Sequence, residues 1–73
     1  MNNPLEGRYA NFFKVGHNAF ELIIDCGQYN SDDQEPHIHT RIITSPAYGK
    51  ALLETLRTSI DEYEMVHGRL GTQ

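Results

Sequence analysis

The sequence predicts an α+β fold in which a three-stranded antiparallel meander is followed by one long C-terminal helix. Two patterns indicate this order. Apolar residues recur every three or four positions between residues 45 and 68, whereas the residues before them alternate with a period of two in short segments. Together the patterns predict the order β-β-β-α in a single domain of 73 residues. Residues 1–7 are expected to form a loose lead-in and residues 69–73 a frayed tail.

The predicted helix runs from an N-cap at Ser45 to a terminating glycine at Gly68. The Ser45 hydroxyl can accept a hydrogen bond from the first turn, and Pro46 stands where a missing N–H costs nothing. Gly68 can adopt the left-handed conformation that ends many helices. The apolar positions form one stripe, which consists of Tyr48, Leu52, Leu53, Leu56, Ile60 and Tyr63. We expect this stripe to cover one face of the sheet.

We make a specific prediction for each of two residues of the helix. Leu56, in the middle of the stripe, is predicted to be buried against Leu22 or Ile24. Gly49 lowers the stability of a helix by about 1 kcal/mol relative to alanine. We therefore interpret Gly49 as the point where the helix closely approaches a strand.

The first two strands and their connection come from residues 8–26. The first strand is predicted over residues 8–15, a segment rich in aromatic residues. Gly16-His17-Asn18 predicts a tight hairpin turn, since Gly and Asn tolerate positive φ. The second strand, residues 19–26, alternates clearly and should be the central one. Its two faces are Phe20, Leu22, Ile24 and Cys26, expected beneath the helix, and Glu21, Ile23 and Asp25.

The third predicted strand, His37–Thr44, follows a polar, acidic loop at residues 27–35 and begins with two histidines. His37 and His39, spaced i,i+2 on a strand, would project from one face with Cα atoms about 6.5 Å apart. Imidazoles at that spacing can bind zinc, although a stable site needs further converging ligands. We expect His37 and His39 not to form a tight metal site, and we expect no cofactor.

Other chemical patterns are weak. Glu21 and Asp25 would lie about 13 Å apart along one strand, too far for a pair of glycosidase carboxylates. Cys26 shares its predicted face with apolar residues, which favours a small buried side chain over a nucleophile. Basic and aromatic residues interleave over residues 8–14, as in surfaces that stack bases. Yet six basic residues against ten acidic ones, a net charge of −4, argue against nucleic-acid binding.

The chain resembles a family of short prokaryotic proteins catalogued as domain of unknown function 3467. The segments that carry the resemblance are Glu6-Gly7-Arg8-Tyr9-Ala10-Asn11, His17-Asn18-Ala19-Phe20-Glu21 through Asp25, His39-Thr40-Arg41-Ile42, Ser45-Pro46 and Glu62-Tyr63-Glu64. The similarity covers residues 6–67. It implies a bacterial, archaeal or related viral origin and supplies no activity, cofactor or catalytic residue.

Apolar residues are too numerous for one helix to cover, which predicts a homo-oligomer and most simply a dimer. A helix can cover one face of the sheet, but the other face still holds a contiguous apolar patch. The residues expected at the contact are Ile23, Ile43, Tyr9, Phe13 and Val15, flanked by Arg41. The stability of such a protein should depend on its concentration.

The function that the sequence favours is a non-enzymatic, homo-oligomeric scaffold or regulatory adaptor whose sheet binds another copy or another protein. The alternative is a small-molecule or metal-binding module at a subunit junction, built from His37, His39 and Arg41. The single cysteine, Cys26, fits a reducing cytoplasm, and no apolar run is long enough for a membrane span.

Overall fold

The computed structural model describes residues 4–71 and contains three strands and one helix. In chain order these are β1 (Phe12–His17), β2 (Leu22–Gln28), β3 (His37–Thr44) and α1 (Pro46–His67). The strands form one antiparallel sheet with β2 in the centre. The predicted α+β fold and its β-β-β-α order are confirmed. The predicted lead-in and tail fall partly outside the described residues.

The register divides the sheet into two faces, because residues directly opposite each other project to the same side. We call one side the groove face; it carries Phe13, Val15, Leu22, Ile24, Cys26 and Ile42. We call the other side the outer face; it carries Phe12, Lys14, Ile23, Asp25, Arg41 and Ile43. The alternation predicted for the central strand is therefore confirmed from Leu22 to Cys26.

The connection between β1 and β2 lies two residues later than predicted. Gly16 and His17 belong to β1, and the chain reverses around Asn18. The Asn18 Oδ1 atom accepts hydrogen bonds from the backbone N–H groups of Phe20 and Glu21, each at 2.8 Å. This local bonding displaces the turn that glycine would favour. Phe20 consequently lies outside β2 with 83% of its surface exposed, so its predicted place beneath the helix is wrong.

The segment before β1 crosses the end of the sheet and does not extend the strand, which corrects the predicted start at residue 8. Asn11 still donates its backbone N–H to the carbonyl of Gly27, and its side chain bonds both backbone groups of Tyr29. The chain before it reaches β3, where the Arg8 guanidinium donates to the carbonyl of His39 at 3.2 Å. Before Asn11, side-chain hydrogen bonds of Arg8 and His39 thus take the place of the backbone ladder.

A β-bulge interrupts the pairing of β2 with β3. Cys26 lies opposite Thr40 and Gly27 opposite Ile38, so one extra residue, His39, is accommodated in β3. Gly27 is buried, and a Cβ atom there would overlap the backbone carbonyl of His37. The close approach of two backbones at the bulge therefore requires glycine.

The helix begins and ends as predicted. The Ser45 hydroxyl accepts a hydrogen bond from the Tyr48 N–H at 3.1 Å, and Pro46 is the first helical residue. Gly68, with φ of 94°, caps the helix and donates its N–H to the Glu64 carbonyl. Gly49 faces Leu22 so closely that a Cβ atom would overlap its side chain. The predicted close approach of helix and strand at Gly49 is confirmed.

The helix nevertheless leaves the sheet largely uncovered, which overturns the expectation of a closed two-layer core. No apolar side chain between residues 4 and 71 is buried, and Leu56, predicted to be buried, is 52% exposed. The 22-residue helix is about 33 Å long, against about 26 Å for β3. The helix follows β3 after Ser45, and its closest approach to the sheet that the structure shows is Gly49 against Leu22.

The dimensions of the chain show the same openness. Its radius of gyration is 15.0 Å, whereas a compact chain of this length has about 11 Å. Its accessible surface is 6721 Å², against about 4,600 Å² for a compact monomer of this size. A single copy thus exposes roughly 2,000 Å² that a closed fold would bury.

Candidate functional site

The candidate site is an apolar groove between the groove face and the first half of α1. Its volume is about 350 Å³, and its lining consists of Phe13, Val15, Leu22, Ile24, Gly49, Leu52, Leu53 and Leu56. All of the lining residues are apolar or glycine, so the groove offers no polar side chain to orient a small substrate. Its chemistry fits an apolar surface of another macromolecule.

The second half of the helix extends the same apolar stripe beyond the sheet. Ile60 and Tyr63 follow Leu56 on this stripe, and the residues after the helix fold back beside it. The Leu70 N–H donates to the Glu64 carboxylate at 2.8 Å, which holds Leu70 near Tyr63. Thus the described part of the predicted frayed tail is bonded to the helix. Ile60 and Tyr63 still expose 40% and 48% of their surfaces.

The outer face is organised by a charged row that runs across all three strands. Asp25, only 7% exposed, lies between Lys14 on β1 and Arg41 on β3. Arg41 donates two hydrogen bonds to the Asp25 carboxylate, from Nε at 2.7 Å and Nη2 at 2.9 Å. This bonding lowers the pKa of Asp25, an effect that burial opposes and that the charges of Arg41 and Lys14 reinforce. The same pairing raises the pKa of Arg41.

The predicted contact residues are split between surfaces. Ile23, Ile43 and Arg41 lie on the outer face, as expected, but Phe13 and Val15 lie on the groove face. The sequence assigned Val15 and Ile23 to one patch because the hairpin turn was placed too early. Tyr9 belongs to the crossing segment and to neither face, although it is 70% exposed.

The histidines take part in local bonding. The two ring nitrogens of His39 contact the Thr40 hydroxyl at 2.7 Å and the Tyr9 carbonyl at 3.0 Å. The His37 Nε2 atom lies 3.6 Å from the Asp33 carboxylate. Within residues 4–71, no group of three or more metal-binding side chains converges. The contact of the His39 ring with the Tyr9 carbonyl anchors the crossing segment to β3. The expectation that His37 and His39 form no tight metal site stays a prediction.

Arg41 and Cys26 lie on opposite faces of the sheet. Arg41 is held in the outer-face row by Asp25, whereas Cys26 lies on the groove face opposite Phe13. His37 lies at the far end of β3 from Ser45, beside the loop. The three residues proposed for a ligand module, His37, His39 and Arg41, thus have separate partners in this chain.

The fold and site define a class: a small α+β protein with an open sheet, a projecting amphipathic helix and an uncovered apolar groove. The chain belongs to the family described as a protein of unknown function, DUF3467, whose model matches residues 2–72. This confirms the family that the sequence resembles. No curated protein and no solved structure matches the chain. In the part of the chain that the structure describes, α1 is too polar to cross a membrane.

The groove itself could not be located from sequence patterns alone. The signal that came nearest was Gly49, which marked the helix–strand contact at one end of the groove. The pairing of Val15 with Ile24, and of Phe13 with Cys26, depends on the register of β1, and that register is set by Asn18.

Proposed function

We propose that this protein is a non-enzymatic homo-oligomeric scaffold or adaptor, most simply a dimer, that acts by binding proteins. The observation that carries this proposal is the lack of any buried apolar side chain between residues 4 and 71. Folding is driven mainly by the burial of apolar surface. A chain that buries so little by itself gains that stabilisation by association with another copy.

The area supports a permanent association. Obligate homodimers bury about 2,000–5,000 Å² in total. The surplus of roughly 2,000 Å² per chain corresponds to about 4,000 Å² for two chains, within that range. Contiguous apolar patches larger than a few hundred Å² are unusual on monomers.

The distribution of apolar residues favours the groove face for self-association. The groove face presents Phe13, Val15, Leu22, Ile24 and Ile42, and α1 adds its stripe beside them. The outer face carries fewer apolar residues around its charged row, chiefly Ile23 and Ile43. Self-association through the groove face would leave the outer face for a further protein partner.

Two neighbouring isoleucines of β3 provide a matched test. Ile42 lies on the groove face and Ile43 on the outer face, and they are 47% and 56% exposed. We expect Ile42→Glu to dissociate or unfold the oligomer, because a charge would be buried at the contact. Ile43→Glu should retain the mass of the oligomer. Light scattering at tens of micromolar, with circular dichroism for folding, measures both outcomes.

Two results would contradict different parts of this proposal. A folded wild-type monomer at that concentration would refute the oligomer. Dissociation by Ile43→Glu alone would move the contact to the outer face, as the sequence first indicated.

A prokaryotic cytoplasm is the compartment that we propose. Cys26 is the one cysteine of the sequence, so no internal disulfide can form. Free thiols persist in reducing compartments.

A further inference from the structure

We infer that the occupant of the groove is the C-terminal half of α1 from a second copy, with the two helices packed antiparallel around a two-fold axis. The inference rests on the proposed function and specifies its contact. Three features support it: a heptad repeat in α1, the charge pattern on one flank of that repeat, and the apolar lining of the groove on the other flank.

The apolar stripe of α1 follows a heptad repeat and so matches a helix-pairing surface. Four residues of the stripe, Leu53, Leu56, Ile60 and Tyr63, together with Gly49 before them and His67 after them, are spaced 4, 3, 4, 3 and 4 residues apart; we call this row the seam. A repeat of 3.5 residues keeps one seam facing a partner helix. The side chains of this seam are half exposed or more from Leu53 to Leu56. The seam is therefore available to another helix.

Antiparallel pairing determines which seam residues of the two helices lie opposite each other. If Leu56 of one helix lies opposite Ile60 of the other, Leu53 lies opposite Tyr63, and Gly49 lies opposite His67. The two-fold axis repeats each of these layers. Gly49 is already covered by Leu22 of its own sheet, so the apolar contact runs from Leu53 to Tyr63, and the ring of His67, 4.7 Å from that of Tyr63 between centroids, lies at its end.

Charge fixes the direction of the pair. One flank of the seam carries residues at intervals of seven, Lys50, Arg57 and Glu64. In the antiparallel register, Lys50 of one helix faces Glu64 of the other, twice per dimer. In a parallel pair this flank would instead face the opposite flank of the partner, which carries Leu52 and Ser59, so neither Lys50 nor Glu64 would gain an opposite charge. The antiparallel register places the two copies of Arg57 near the two-fold axis, and each has Glu54 of its own helix 3.6 Å away.

The opposite flank is apolar where the partner would enter the groove. Leu52 lines the groove, and the antiparallel register brings Val66 of the second helix opposite it. Val66 is 76% exposed in a single chain, and Ser59, a small residue, falls near the two-fold axis. Thus the second helix would place Ile60, Tyr63 and Val66 against Leu52, Leu53 and the groove face. By symmetry each copy fills the groove of the other.

Charge reversal tests this contact. Lys50→Glu and Glu64→Lys should each weaken the dimer roughly tenfold, since each creates two like-charged contacts. The double variant K50E/E64K should return the dissociation constant to within about threefold of wild type. Glu62→Lys changes the net charge equally but lies on the back of the helix, so K50E/E62K should not restore affinity. Sedimentation at low ionic strength measures the dissociation constants of the wild type and the four variants.

Spin-label distances test the direction independently. In a Cys26→Ser background, labels are placed at single cysteines replacing Lys50, Arg57 and Glu64. In the antiparallel pair, Lys50 and its symmetry mate are offset along the axis by about 21 Å, as are the two copies of Glu64, whereas Arg57 has almost no offset. The label at position 57 should therefore give the shortest distance between copies. A parallel pair would give three similar distances.

Failure of this inference can be separated from failure of the proposed function. A stable dimer that shows no rescue by K50E/E64K and three similar label distances overturns the helix pairing and leaves the oligomer intact. A monomer in light scattering overturns both.

Discussion

At the scale of single residues, Asp25 is the charged side chain whose environment is most specific. Its carboxylate is held by the fork of Arg41, and its pKa is lowered as a result. A carboxyl group with a lowered pKa in the folded state stabilises the fold above its unfolded pKa, here 3.8. That stabilisation is lost as the pH falls through the lower value of the folded state.

The direction of this pKa shift predicts how the stability of the Asp25→Asn variant depends on pH. At neutral pH we expect the variant to be less stable than wild type, and below about pH 4 the difference should shrink. Urea unfolding between pH 2 and 7 measures it. Arg41→Lys keeps the positive charge but loses the two parallel hydrogen bonds of the guanidinium. Its stability at neutral pH should therefore lie between those of wild type and Asp25→Asn. Parallel pH profiles for wild type and Asp25→Asn would contradict the role assigned to the pair.

At the scale of elements, the sheet depends on a bulge that places two backbones in contact. Gly27 is the residue that permits it, because the neighbour of a Cβ atom there is the carbonyl of His37 and cannot move as a flexible side chain can. The bulge also positions His39, whose ring bonds the Tyr9 carbonyl and holds the crossing segment. Side-chain hydrogen bonds thereby hold the crossing segment against the end of the sheet.

Gly27→Ala should destabilise the protein by roughly 1–3 kcal/mol, the usual range for overpacking. Gly16→Ala is the matched control in the neighbouring strand, since a Cβ atom there meets nothing within 4 Å. That control should be neutral or stabilising by up to about 1 kcal/mol. Thermal unfolding of both variants compares them; equal stabilities would show that the bulge tolerates a side chain.

At the scale of the whole molecule, the proposed association couples stability to protein concentration. A chain whose radius of gyration is 15.0 Å has not closed its own core. The stripe of α1 and the groove face are both apolar, and they approach each other closely at Gly49 and Leu22. In the proposed dimer a second copy supplies the apolar surface that a single chain lacks, so the melting temperature should rise with protein concentration.

Leu56→Ala probes this coupling. If Leu56 is buried between two copies, the substitution should cost roughly 2–5 kcal/mol and lower both melting temperature and dimer mass. Met65→Ala removes an exposed side chain from the back of the same helix and should change stability by less than about 0.5 kcal/mol. Melting curves at several concentrations measure both. Equal effects of the two variants would mean that Leu56 stays exposed in solution.

The sequence by itself determined the elements that depend on local signals. The helix is defined by Ser45, Pro46 and Gly68, whose capping preferences act within a few residues. β3 was placed at its observed bounds, and the period of two fixed the faces of β2 from Leu22 onward. The Gly49 contact was also predictable, because a glycine weakens the interior of a helix and is best tolerated where a close neighbour leaves no room for a side chain.

The tertiary structure decided what depends on distant partners. The side chain of Asn18 set the hairpin and hence the register that moved Phe13 and Val15 to the groove face. Whether Leu56 is buried depended on the angle at which α1 leaves β3, which no local pattern encodes. Burial is a property of the surfaces that meet, and in the single chain the sheet leaves 52% of the Leu56 surface exposed.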